Sequence, residues 1–235
     1  MTHNYKNNLT NNRVYWVIIP ALAYLIVTVC SLFFRDFFFI DDAQNEMLPF
    51  MKEMGGMWWR GELPILTTRT MLGGNILVDM VLSPFSPQII LISLVAAKTT
   101  SFLIPAKLLA WINITLIMWG TFWAAKTMRI RSSYGLLAAF SVATNPVFLY
   151  VYQASWWNFA SAFAWFVIAF AAVLALHTHR SRKNFLLLSL SGIFLFASAG
   201  TQMQVSFLII LGVFFVYDWF HQKKAEAVDY VWVGL

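Results

Sequence analysis

The sequence predicts an all-α polytopic membrane protein, and three observations carry that prediction. Of 235 residues, 60% are hydrophobic and 11% are charged, against about 25% charged in soluble domains, so the chain cannot cover itself with a polar surface. Its apolar residues gather in long runs parted by short polar breaks. The basic residues collect in alternate breaks, as the positive-inside rule requires of a multi-pass chain. In a soluble protein the net charge of +6 would suggest nucleic acid. Here the placement of charge matters more, and no nucleic-acid partner is expected. Cys30 is the single cysteine, so no internal disulfide can form.

After a tail of residues 1–13, the first run extends from Val14 to Phe34. As a helix its 21 residues reach about 31 Å, enough to span the bilayer core. A cleaved leader has an apolar stretch of only about 7–15 residues, so this run reads as a permanent anchor. Five further spans are expected over about 102–125, 134–152, 157–176, 184–200 and 203–220, giving six in a domain of residues 14–220. With the N-terminus in the cytoplasm, ten of the sixteen basic residues and three acids fall inside, while six bases and seven acids fall outside. Asn145-Pro146 interrupts the third span, and Trp16, Trp111, Trp156 and Trp157 near span ends suit interfacial belts. The tail, residues 221–235, turns apolar at AVDYVWVGL and reads as the opening of another span.

Pro84–Ala97, PFSPQIILISLVAA, is apolar but only 14 residues long, nearer to a re-entrant or interfacial piece than to a span. Counting it as a span would invert every later loop, so residues 35–101 form one large outer loop. Within that loop Met47, Phe50, Met51, Met54, Met57 and Trp58 fall at helical spacing on one face. The pattern predicts an amphipathic helix lying flat on the membrane, weakened at Gly55-Gly56 and ended by Gly61 and Pro64.

Two adjacent carboxylates, Asp41 and Asp42, follow directly on the first span. Asp41 with Gln44 three residues later matches a relaxed capping box, and Asp42 would be a favourable first-turn charge. The other reading is chemical: the pair lies where a lipid-borne head group arrives. One carboxylate could take a proton from an acceptor hydroxyl or hold a divalent cation. A capping carboxylate keeps a free lone pair, so the readings are compatible.

The order of features, an exit Asp followed by QNEMLPF, then RGELP, MLGGN, LSPF and later YQASWWNFASAFAW, resembles that of bacterial YfhO-like membrane proteins and of the GT-C glycosyltransferases. The resemblance runs over most of residues 14–220. It implies a protein of the bacterial inner membrane, or the N-terminal portion of one. Such a protein moves a sugar from a polyprenyl-phosphate donor to an envelope glycan or lipid acceptor on the outer face. It also implies a catalytic acid in the first outer loop, at Asp41 or Asp42. Spacing to the PF pair favours Asp42, and a GT-C-style acidic pair favours Asp41. Such a donor already carries its leaving group, so one base and cationic stabilisation of the phosphate suffice. Arg69, before Gly73-Gly74-Asn75, is the leading phosphate contact, because guanidinium binds phosphate bidentately and glycine lets the backbone approach. Arg60 and Lys107 serve equally well as contacts to lipid phosphates. Gln153 and Trp157 could line a sugar site, although interfacial anchoring explains the Trp as well.

Two rival functions remain. A transporter or lipid-handling protein needs polar groups facing one another near the bilayer midplane, and at such depths the spans offer only Asn113, Asn145 and a few hydroxyls, with no Asp, Glu, Lys or Arg. A non-catalytic partner subunit is the other. His177 and His179 lie in a basic inner loop as solvated residues. No phosphate-binding glycine loop, nucleotide fingerprint, zinc-type cluster or nucleophile elbow is present.

Overall fold

The computed structural model describes residues 12–38, 47–67, 74–75, 83–153, 156–198 and 201–222. Side chains are described over 14–38, 47–65, 83–151, 156–198 and 201–217. Nine helices occur among these residues: α1 (Asn12–Phe33), α2 (Leu48–Trp59), α3 (Pro87–Ala96), α4 (Leu103–Thr127), α5 (Ser132–Ala143), α6 (Pro146–Gln153), α7 (Trp157–Thr178), α8 (Arg182–Ala197) and α9 (Thr201–Gln222). A two-residue ladder, β1 (Leu66–Thr67) with β2 (Gly74–Asn75), is the one extended element among them.

Three helices, α1 from Val14, α4 and α7, are long and apolar enough to cross a membrane. The described fold is all-α, and its three candidate spans are those of a multi-pass membrane protein. Of the other three spans expected from sequence, two fall short for separate physical reasons. Asn145-Pro146 splits the third into the 12 residues of α5 and the 8 of α6, because proline lacks the N–H that would continue the ladder. Helix α8 has 16 residues and begins with Arg182-Lys183. Helix α9 has 22 residues, with side chains described over 201–217.

Helix directions follow from side-chain contacts. The rings of Tyr15 and Phe122 lie 4.8 Å apart and those of Trp16 and Trp119 5.1 Å apart, while the Trp111 indole N–H donates to the Pro20 carbonyl at 3.0 Å. Helices α1 and α4 are therefore antiparallel. Helices α4 and α7 run the same way, since Asn113 meets Ser161 and Gly120 meets Val167 and Ile168. Their contact is built from small residues: Ala160, Ala164 and Ala171 of α7 are fully buried, and a Cβ on Gly120 would stand 2.9 Å from the Ile168 nitrogen. Small residues let backbones approach where lipid supplies no hydrophobic drive between helices. Helix α8 turns back along α7. The Ser181 hydroxyl accepts the Asn184 N–H, and the Asn184 amide donates to the Ala175 and His179 carbonyls.

The bundle end at which α1 finishes and α4 and α7 begin carries α2 and α3. Met47, Leu48, Phe50, Met51 and Met54 are buried in one core cluster with Ile89, Ile92 and Ala96. The methionine-rich face expected on the membrane is thus covered by α3. Gly55 is the crossing point and not a weak spot: an added Cβ would lie within 1.8 Å of the Ser93 carbonyl oxygen. Gly61 ends the turn after α2 with φ +73°, as expected.

Candidate functional site

Part of the chain in which site residues are expected adjoins α2 of the α2–α3 cap in sequence. Asp41 and Asp42 lie outside the described residues, as do Arg69 and the cap proposed for Asp41. Their brackets are visible. Phe38 is fully buried and Met47 nearly so, in the same core cluster, so the chain enters and leaves the acidic segment from fixed points. Arg69 falls in sequence between Thr67 and Gly74, which pair with each other as Leu66 pairs with Asn75. The backbone of Asn75 belongs to that ladder.

Arg60 is already engaged: its Nε and Nη2 donate to Glu62 Oε2 at 2.9 and 2.6 Å. The hydrogen bond and charge of Glu62 raise the affinity of the guanidinium for its proton, and Arg60 in turn holds the Glu62 carboxyl below its ordinary range. Both groups are exposed, so the pair is screened by water. Lys98 stands over the Trp59 ring, 4.8 Å from its centre, and Lys52 over Phe102 at 5.4 Å. Gln153 ends α6, its backbone alone described. Trp157 opens α7 and is 1% exposed, so its ring is a core element here, whereas Trp156 beside it is exposed and edges against Tyr150. Asn75, Gln153 and Trp157 thus fall on three separate elements, and no contact among them is described.

Below the cap lies a cluster that the sequence left largely unmarked. Ser86, Gln88, Asn113, Ser161 and Ser198 are all buried and hydrogen-bonded in a chain that joins α3, α4, α7 and the end of α8. The Trp165 indole N–H donates to Gln88 Oε1 at 2.7 Å, and the Ser86 hydroxyl donates to the same oxygen at 3.0 Å. An indole has only a donor, so it fixes the orientation of the Gln88 amide. Gln88 Nε2 then faces Asn113 Oδ1 at 3.3 Å, leaving Asn113 Nδ2 to donate to the Ser161 oxygen at 3.1 Å. The Ser198 hydroxyl reaches the Phe194 carbonyl at 2.7 Å and lies 3.1 Å from the Ser86 oxygen.

This chain also sets the depth of α3. Gln88, near its start, meets Asn113, ten residues into α4 and hence about 15 Å from where α4 begins, while α3 ends only a short turn before α4. Helix α3 therefore rises from inside the bundle towards the cap end, and its 10 residues fall below the length of a membrane span. A polar amide within the apolar run PQIILISLVAA was the signal for Gln88. Asn113 stands out in the sequence only as an isolated polar residue. Among the described residues no charged side chain is buried, and no group of three or more His, Cys, Asp or Glu could hold a metal.

No protein-family profile, curated protein or solved structure matches the chain.

Proposed function

We propose that the chain is the membrane domain, or the N-terminal part of one, of a GT-C-like glycosyltransferase that moves a sugar from a polyprenyl phosphate to an envelope acceptor on the outer face. In this reading the six helical passages, with α5 and α6 as one broken passage, all cross the membrane. Asp41 or Asp42 takes the acceptor proton or holds a divalent cation, and Arg69 meets the donor phosphate. The observation that carries the reading is the bracketing of the acidic segment. Phe38 and Met47, the described residues on either side of the acidic segment, are packed into one core with α2. Catalysis needs positioning, because a base contributes only when held within hydrogen-bond reach of its proton. The Arg60–Glu62 pair leaves Arg60 the weaker phosphate candidate.

Sugar incorporation into envelope glycans is the test. Asp41→Asn and Asp42→Asn, singly and together, are expected to lower incorporation by about 10²-fold or more at the position that acts as base. Arg69→Gln should reduce it less. Wild-type incorporation by the double variant defeats the catalytic assignment.

One observation favours a transporter instead: the buried polar chain at Gln88 and Asn113, where α3 starts inside the bundle. That chain is neutral, and its side chains satisfy one another, which suits helix adhesion better than passage of a solute.

A further inference from the structure

Helix α3 has two faces. Gln88, Ile89, Ile92, Ser93 and Ala96 are buried, whereas Leu91 is 51% exposed and Lys98, just past the helix end, is exposed. Leu91, Leu94, Val95 and Lys98 follow one another at helical spacing along the outward side. Trp59, 56% exposed, is fastened to that side: its indole N–H donates to the Leu94 carbonyl at 3.0 Å. The Lys98 ammonium stands over the same ring and meets no carboxylate among the described residues. An aliphatic strip thus ends in a tryptophan and a lysine, with about 10 Å of helix between Leu91 and Lys98. That spacing separates an acyl chain from its head group.

We propose that the outward face of α3, with Trp59 and Lys98, binds an anionic glycerophospholipid: the acyl chain lies along Leu91, Leu94 and Val95, and Lys98 meets the phosphate. The indole N–H is satisfied by Leu94, so Trp59 serves as a flat wall and interfacial marker rather than as a donor to lipid. The membrane contact of the cap is therefore made by α3 and the end of α2, not by the methionine face of α2. The proposal does not depend on the glycosyltransferase reading.

The full chain carrying Cys30→Ser and Leu91→Cys is labelled with bimane and placed in phosphatidylcholine vesicles containing dibrominated phosphatidylcholine or dibrominated phosphatidylglycerol. Both brominated lipids should quench the label, phosphatidylglycerol more strongly. Lys98→Gln should lower that preference by about fivefold while leaving quenching by phosphatidylcholine intact. Val95→Cys provides a second position with the same expected result. Absence of quenching by either lipid at both positions means that water or protein covers the face, and overturns the proposal. A preference that is absent, or that survives Lys98→Gln, overturns the head-group contact.

Discussion

Two helix pairs, α4 with α7 and α2 with α3, each cross at a glycine, yet they are built on opposite principles. Helices α4 and α7 are 25 and 22 residues long, and alanines let their backbones approach. Helices α2 and α3 have 12 and 10 residues, and methionine, leucine and isoleucine fill the space around their one close crossing. The long pair would be apolar enough to live in lipid on either side. The short pair holds its place only through contacts with each other and with the bundle. Length and hydropathy are therefore enough to place the first pair, whereas the second depends on a shape match that no periodicity reports.

The largest expected effect separates the two crossings. Gly55→Ala forces a Cβ onto the Ser93 carbonyl, a backbone atom that cannot swing away, and should cost about 3 kcal/mol or more. Gly120→Ala meets Val167 and Ile168 at 2.9 Å, where a slight helix shift gives relief, and should cost about 1–2 kcal/mol. Gly56→Ala is the control: its Cβ would touch only Arg60, at 3.5 Å, so helix propensity should make it neutral or stabilising by about 0.5–1 kcal/mol. Thermal unfolding in detergent micelles ranks the three. If Gly55→Ala melted like Gly56→Ala, the close packing of α2 on α3 would be wrong.

The next effect tests how the pairs are joined. Gln88→Leu removes the acceptor of the Trp165 indole and the donor to Asn113, and stranding buried polar groups should cost about 1–3 kcal/mol. The combination of Gln88→Leu with Asn113→Leu should cost clearly less than the sum of the single changes, which a double-mutant cycle measures. Strict additivity would mean that the two amides do not interact.

The smallest effect belongs to the exposed Arg60–Glu62 pair. The Glu62 carboxyl is depressed in the folded protein, so its contribution is present above the unfolded value of about 4.3 and is lost as the pH falls through the lower folded value. Glu62→Gln should leave the melting temperature near wild type at neutral pH and should flatten only the acidic end of a melting-temperature profile.

The same contrast explains what could be read from the chain. The spans at α1, α4 and α7 were legible because composition over some twenty residues is a strong signal. The break at Asn145-Pro146 was legible because proline acts locally. The methionine spacing identifies α2 as a helix but not its partner, since a membrane and a second apolar helix place the same demand on a sequence. Gly55-Gly56 looks like a weakness in sequence because close backbone approach leaves no mark other than glycine. Of the site, Arg60, Asn75 and Trp157 can now be placed, and Asp41, Asp42 and Arg69 lie outside the described residues. Gln88 escapes a reading of sequence because its partners are Asn113, Trp165 and Ser86, and all but Ser86 are distant in the chain.

Every chemical role proposed for the outer loop requires that the α2–α3 cap face away from the cytoplasm. Cysteine labelling in a Cys30→Ser background tests that directly, using exposed Ser101 at the cap end and exposed Ser133 beside the basic turn at the other. In intact cells a membrane-impermeant maleimide should modify Ser101→Cys and should reach Ser133→Cys only after the membrane is opened. The reverse pattern would put the cap, and with it the carboxylate pair, on the cytoplasmic side.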